Sequence, residues 1–248
     1  MSNNNKYEVV VIGGGLAGLT AAVYLAMEDK SVLLLEKAAQ LGGYAQTTEK
    51  NGALFNFGPH AMYEGGAALR ILEELDCLPP GGYAKKTNSG LIGIYQSKLV
   101  NMPMNLTDEE NQEWTRLMKR LHHIDVQSAS NLSIYQWTEE NVKQDRIKQF
   151  FYALCRQWSY CYDLTELSAG YVIRQGQLAG NGVRYIDKGW QSVVNSLRDK
   201  ALQLGVTIET SCKIDQVVHQ NRQIQGVQLA DGSFKASNHV ILAVGPSE

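Results

Sequence analysis

The distribution of apolar residues sorts the N-terminal quarter of the chain into three elements. Tyr7 to Ile12 (YEVVVI) is a β-branched run with one charge, at Glu8, and predicts a strand buried on both faces. Leu16 to Met27 is rich in Ala and Leu and predicts a helix. Ser31 to Leu35 (SVLLL) predicts a second buried strand, ending at Glu36. The three form a β-α-β unit of about 30 residues. The uncharged stretch Val9 to Met27 follows Lys6 and could pass for a signal peptide or a membrane span. The consecutive Gly13, Gly14 and Gly15 argue against a stable spanning helix, and Lys6 alone is no basic n-region. Division into strand, turn and helix explains the stretch better.

Further along, Leu69, Leu72 and Leu75 line one face of a helix over Gly65 to Asp76, stopped by Pro79-Pro80. Leu91 to Met104 reads as a hairpin with its turn at Ser97 and Lys98. Thr107 to Ile124 is the clearest helix outside the first unit. Thr107 and Glu110 make a capping box, Asp108 and Glu109 suit the positive end of the dipole, and Trp114, Leu117, Met118 and Leu121 form the apolar stripe. Thr138 to Tyr162 is expected to be helical, with Ile147, Phe150, Phe151 and Leu154 inward.

Trp190 to Leu204 predicts a helix with Trp190, Val193, Val194, Leu197 and Ala201 on one side and Gly205 as C-cap. Strand-like runs follow at Val206 to Glu209, Ile214 to His219 and Ile224 to Leu229, with a hairpin signal at Asp231-Gly232. Val240 to Val244 is expected to be a last buried strand. There is no internal repeat, and the only low-complexity tract is Asn3-Asn4-Asn5. Strand-and-helix alternation at both ends with mostly helical character between predicts an α/β domain interrupted by an insertion. The expected division is 1–88, 89–182 and 183–248, the insertion running from Ser89 to Gly182.

Composition narrows the function classes. A net charge of −2 offers no basic excess for nucleic acid or anionic lipid. Cys77, Cys155, Cys161 and Cys212 form no C-x-x-C pair and have no accompanying His cluster, so neither a metal site nor a disulfide framework is expected. Buried, reduced thiols fit a cytoplasmic protein.

The candidate chemistry lies in the first turn. Gly13-x-Gly15-x-x-Gly18 follows a strand and opens a helix. The first glycine permits the tight turn, the second lets a pyrophosphate approach the backbone, and the third lets helix and strand pack closely. The helix N-terminus adds N–H groups and the positive end of a dipole, so Gly13, Gly15, Leu16, Ala17 and Gly18 are candidate phosphate contacts. Glu36 closes the second strand, where a carboxylate accepts from ribose hydroxyls and repels a 2′-phosphate. This unit fits either NAD or FAD.

The segments VVVIGGGLAGLTAA (9–22), LLLEKAAQLGGYAQT (34–47) and FNFGPHAMY (55–63) resemble the flavin superfamily of phytoene desaturases, protoporphyrinogen oxidase and flavin-dependent amine oxidases. The resemblance implies a Rossmann-like FAD-binding domain interrupted by a mostly helical, partial substrate domain. It implies that FAD accepts a hydride from a C–C or C–N bond of a small or apolar substrate. Gly42 and Gly43, after Glu36 and Lys37, take the family's second pyrophosphate-binding doublet. Tyr44 stands where the family usually has a basic residue, and Gly58, Pro59 and His60 match a segment near the flavin ring.

The resemblance resumes at Asp187-Lys188-Gly189-Trp190. Ile214 matches by position the residue whose backbone meets the adenine, and reads equally well as an apolar strand residue. VILAVGP (240–246), with Ala243, resembles the strand and turn leaving the FAD domain. Family members continue with a further FAD-binding segment that is not in this sequence. Expectation is therefore divided between a truncated oxidoreductase and a catalytically incomplete FAD-binding subunit. An NAD-dependent dehydrogenase is a third reading, disfavoured by the Gly42-Gly43 doublet.

The residues designate no catalytic group. Tyr44 and His60 are the polar side chains expected nearest the ring, in orientation or packing roles. The aromatic series Phe150, Phe151, Tyr152, Trp158, Tyr160 and Tyr162 fits a helix core with some exposed tyrosines better than a substrate channel. His122-His123 suits the C-terminal end of the capped helix.

Overall fold

The computed structural model describes residues 7–83, 91–95, 97–103 and 105–245. Asn3 to Asn5, Lys6, the 88/89 boundary, Met104 and Pro246 to Glu248 lie outside the described residues. In chain order the elements are β1 (Tyr7–Ile12), α1 (Leu16–Met27), β2 (Val32–Leu35), a 3-10 turn (Gly43–Ala45), β3 (Thr47–Lys50), β4 (Ala53–Asn56), β5 (Met62–Tyr63), α2 (Ala67–Glu74), β6 (Gly81–Tyr83), β7 (Leu91–Tyr95), β8 (Lys98–Met102), α3 (Asp108–Leu121), α4 (Val126–Ala129), α5 (Ile134–Asn141), α6 (Asp145–Ser159), α7 (Ala169–Gly180), β9 (Val183–Ile186), α8 (Gln191–Gln203), β10 (Thr207–Glu209), β11 (Ile214–Gln220), β12 (Gln223–Leu229) and β13 (Phe234–Leu242). They fall into two compact units, residues 1–62, 67–82 and 185–248, and residues 63–66 and 83–184.

The first unit is built on a six-stranded sheet in the order β10-β2-β1-β13-β12-β11. β10, β2 and β1 run parallel, and α1 supplies the crossover that the parallel β1–β2 pair requires. Burial on both faces explains why β1 from Val9 onward and the whole of β2 are apolar. Val9, Val11, Val32 and Leu34 face the cluster formed with Leu19, Ala22 and Val23 of α1 and Val193, Val194 and Leu197 of α8. Val10, Ile12, Leu33 and Leu35 face the opposite cluster, closed by Val227 and Leu229 of β12.

The last strand differs from expectation. It begins at Phe234, well before Val240, and ends at Leu242, so Ala243 and Val244 lie beyond it. Its first residues pair antiparallel with β12 and its later ones parallel with β1, from Tyr7↔Ser237 to Ile12↔Leu242. At the change of partner, the buried Ser237 hydroxyl donates to the Glu8 carbonyl (3.2 Å) and accepts from the His239 N–H (3.3 Å). The expected burial is also not met: Val240 and Ile241 are half-buried, and Leu242 is 64% exposed, so the apolar run that marked the strand is not a core segment in this chain.

The second unit is mostly helical, with the expected hairpin formed by β7 and β8 and Ser97 at φ 59°. The Thr107 capping box forms in both directions: Glu110 N–H donates to the threonine hydroxyl, and Thr107 N–H donates to the Glu110 carboxylate. α3 ends at Leu121 rather than Ile124. The helix expected over Thr138 to Tyr162 is two helices, α5 and α6, broken at Val142, which is extended at φ −121° and ψ 128°. Glu113 of α3 sets the break. Its two carboxylate oxygens accept the Lys143 and Gln144 N–H groups, each at 2.8 Å, at the start of α6.

Phe151 and Tyr152 are buried, and Phe150 and Trp158 pack partly buried against the same core. Tyr160 and Tyr162 are exposed. α7 was not anticipated. No described helix is long and apolar enough to cross a membrane.

Candidate functional site

The carboxyl end of β1 is where the chain leaves the sheet between β2 on one side and β13 on the other, the position at which open α/β sheets take their ligands. Gly13 turns there at φ +107°. A Cβ on it would lie 2.5 Å from the Ala243 carbonyl oxygen. A Cβ on Gly18 would run into the Gly13 carbonyl oxygen, so α1 starts hard against β1. Ala243 completes this contact by donating its N–H to Ile12 O (2.8 Å).

Gly15 is different. It lies in extended backbone, φ −77° and ψ −176°, and no atom comes within 4 Å of where its Cβ would be. It is the N-cap of α1 and has no side chain to cap the helix, and the first turn holds no acidic residue. The helix therefore begins at Leu16 and Ala17 with N–H groups that no side chain covers.

A second uncapped N-terminus stands beside it. Gly42, at φ +118°, donates its N–H to Gly14 O (2.8 Å) and forms an isolated parallel bridge with Gly15. It opens the 3-10 turn Gly43–Ala45, again without a side-chain cap. The nearest atom to a Cβ on Gly43 is the Gly15 Cα, at 3.8 Å. Two sets of backbone N–H groups thus meet over two glycines, with room above both.

Glu36 fixes the arrangement. It is 8% exposed, and its carboxylate accepts the Gly14 N–H (2.7 Å) on one oxygen and the Ala38 N–H (2.8 Å) on the other. Each oxygen retains a lone pair for a ribose hydroxyl. Gly14 was overlooked in the sequence because it is the unpatterned member of the triplet. Its Cβ would run into Leu41, and both of its backbone polar groups are used.

The chain after β10 passes the same acid. Ser211 N–H donates to Ala38 O and Cys212 N–H to Glu36 O, each at 2.9 Å, which brings Ile214 alongside. Ile214 itself is half-buried against the second-face cluster. Partial burial, then the nearby Glu209 carboxylate, pushes the Cys212 thiol up.

Gly58 is packed on Tyr44: a Cβ there would lie 2.9 Å from Tyr44 O. The Tyr44 side chain is 83% exposed, Pro59 is half-buried, and His60 and Lys37 are exposed. The structure thus ties Gly13, Gly15, Gly18, Glu36, Gly42, Gly43 and Ala243 into one contact set. Tyr44 and Gly58 adjoin it, and Lys37 and His60 are exposed beside their neighbours in sequence.

A further arrangement was missed. The cross-strand pair Thr47 and Asn56 of β3 and β4, hydrogen-bonded at 2.7 Å, caps α8. Asn56 Oδ1 accepts the Trp190 N–H and Thr47 Oγ1 the Gln191 N–H, both at 3.1 Å. Gly189, at φ +80°, permits this, because its Cβ would lie 2.5 Å from Thr47 Oγ1.

A family model described as FAD dependent oxidoreductase matches residues 8–247. The chain is 23% identical over 284 aligned positions to 4,4'-diaponeurosporene oxygenase of Staphylococcus aureus, covering 94% of this chain and 54% of that protein. It therefore spans about half the length of the curated relatives it matches. Among solved structures, an oxidoreductase from Methanosarcina mazei is similar with a TM-score of 0.76 at 19% identity, over 96% of this chain and 58% of that one. Putrescine oxidase bound to putrescine is similar with a TM-score of 0.76 at 17% identity, over 97% and 58%. At these identities the structural likeness establishes the fold, here the α/β fold of FAD-dependent oxidoreductases. With the family model matched over nearly its whole length, the chain belongs to the FAD-dependent oxidoreductase family, whose cofactor is FAD.

Proposed function

We propose that this chain holds FAD at the end of β1 and serves an oxidoreductase of the phytoene desaturase and amine oxidase type. The observation that carries the reading is the meeting of two uncapped N-termini over Gly15 and Gly43. A pyrophosphate needs many N–H donors and no crowding Cβ, and this cradle offers both.

In this reading the backbone of Gly13, Gly15, Leu16, Ala17, Gly18, Gly42 and Gly43 binds the pyrophosphate. Glu36, followed by Lys37, accepts from ribose, and the backbone at Ile214 meets the adenine. Ala243 closes the floor of the turn, and Tyr44, Gly58, Pro59 and His60 border the flavin ring. Bound FAD supplies the two-electron acceptor, taking a hydride from a C–C or C–N bond of a small or apolar substrate. The protein's part is to bind, orient and exclude water. The insertion, residues 89–182, would supply part of the substrate side. Four cysteines, all free, suit a reducing, cytoplasmic setting.

A second reading is a catalytically incomplete FAD-binding subunit. One experiment addresses both readings. The chain is purified, the released nucleotide is identified by absorbance and chromatography, and reduction of the bound flavin by amines and unsaturated hydrocarbons is followed anaerobically. FAD near one per chain, bleached by a substrate, supports the first reading, and FAD that no substrate bleaches supports the second. Recovery of NAD, or of no nucleotide, overturns the FAD reading.

A further inference from the structure

The second unit holds a cavity that the nucleotide reading does not use. Its volume is about 370 Å³, and residues of α3, α4, α5 and the loops between them line it. That volume falls in the range of small-molecule sites, which combine apolar walls with a few polar groups. The apolar walls are Ile124, Ala129, Leu132 and Trp137, and the charged or titratable side chains are Arg120, His123 and Asp125. All of them belong to residues 83–184, whereas the glycine cradle lies wholly in the other unit.

The cavity stands at the end of a basic stripe. Arg116, Lys119, Arg120 and His123 recur at i, i+3, i+4 and i+7, running off the end of α3, and all four are exposed. From Trp114 to Ser128 these three full cations stand against one carboxylate, Asp125, a net of +2 in a chain whose net charge is −2. Among the described residues none of the three forms an ion pair.

Cations at a helix C-terminus ordinarily serve its dipole and its free carbonyls. Here Gln177 already covers that end, its amide donating to the Leu121 carbonyl (3.1 Å) and the Ile124 carbonyl (3.0 Å). Asp125 is partly committed too, since its Oδ1 accepts the Gln127 N–H (3.0 Å) as the N-cap of α4. Arg120 is the unpartnered full charge beside an apolar wall.

We propose that this cavity binds a small carboxylate with an apolar body. The planar guanidinium of Arg120 takes a carboxylate through parallel N–H donors, and the body of the ligand covers Trp137 and Leu132. A doubly charged phosphate is a poorer match, because Asp125 shares the wall. The site is independent of the FAD reading above.

The test is titration of the 15N-labelled full chain with benzoate, with acetate, which has the charge alone, and with benzyl alcohol, which has the body alone. The Trp137 indole resonance, assigned by its loss in Trp137→Phe, reports on the cavity, and the Ala129 amide serves if that variant does not fold. Benzoate is expected to shift both resonances, with acetate and benzyl alcohol at least tenfold weaker. Arg120→Gln changes an exposed side chain and should weaken benzoate about tenfold or more. Resonances unmoved by benzoate would overturn the proposal. So would acetate binding as tightly as benzoate, or parent affinity in Arg120→Gln. Phenyl phosphate binding more tightly than benzoate would overturn the carboxylate assignment.

Discussion

Gly15 and Gly18 belong to one motif, yet the structure assigns them opposite sensitivities. Gly15→Ala places a methyl group in open space on a backbone whose φ of −77° any residue adopts. Such a replacement restricts the unfolded chain by about 0.4–1 kcal/mol, and the poorer N-cap that alanine makes offsets a gain of that size, so the net change is small. Gly18→Ala drives the methyl into the Gly13 carbonyl oxygen and forces α1 away from β1. Overpacking of this kind costs about 1–3 kcal/mol, which outweighs the gain of about 1 kcal/mol that alanine brings to a helix interior. For FAD the order reverses in its cause. On the FAD reading proposed above, the Gly15 methyl would occupy the space through which phosphate reaches the N–H groups, and each charge-assisted bond lost would weaken binding by about 1.5–3 kcal/mol, ten- to a hundred-fold.

Urea unfolding without nucleotide, followed by FAD titration of the flavin fluorescence, separates the two effects. Gly15→Ala is expected to unfold near the parent midpoint and to bind FAD at least tenfold more weakly. Parent FAD affinity in Gly15→Ala would refute the assignment of the open space to the pyrophosphate. A loss of stability in Gly15→Ala equal to that in Gly18→Ala would refute the account of the packing.

Three further outcomes follow from the site and its supports. Asn56→Ala removes the acceptor for the Trp190 N–H and the partner of Thr47, and should cost about 1–2 kcal/mol in urea unfolding. Thr47→Val should be non-additive with it, because the two side chains cap α8 as a pair. Tyr44→Arg restores a cation beside the phosphate cradle. FAD should then bind more tightly at low salt, with the gain gone near about 1 M, where the Debye length is about 3 Å; a gain that persists would count against phosphate there. In the other unit, the hydrogen bond from Lys148, then that from Tyr152, holds the Glu139 carboxyl below the ordinary value of 4.5. Its contribution is thus present above 4.5 and lost as pH falls below it. Glu139→Gln should flatten the drop in thermal midpoint in that acid range, and an unchanged drop would show the network to be immaterial.

The parts of the fold legible in the sequence are those whose causes are local. β1, α1 and β2 each carry their own apolar period, and the Thr107 box names its helix start within four residues. The box at Ser133 and Gln136 is equally local, and it marks the start of α5 that went unread. Other features have distant causes. The break before α6 is made by Glu113, 30 residues away from the Lys143 N–H that it accepts. α7 carries Gly170, Gly176 and Gly180, poor helix formers by propensity. Each admits a neighbour that a methyl would displace: Ser130 and the Val126 carbonyl, the Trp158 ring, and His122. Of the candidate site, the glycines and Glu36 could be read from spacing. The support of Gly14 by Glu36, and of α8 by the β3–β4 pair, could not, since neither residue of each contact signals the other.

The pairing of β1 with β13 has a consequence for how the protein is made. Ser237 bonds to Glu8 across 229 positions, and the cradle at the end of β1 is closed by Ala243. During synthesis β1 and β2 leave the ribosome able to pair with each other, while their outer neighbours β13 and β10 have not yet been translated. Contacts of such long sequence separation form slowly and leave strand edges open to wrong pairing. The intervening unit draws on nearly continuous chain, residues 83–184, and can collapse first. The turn after β1 is then completed only when β13 arrives, and until that point the free edge of β1 is open to wrong pairing.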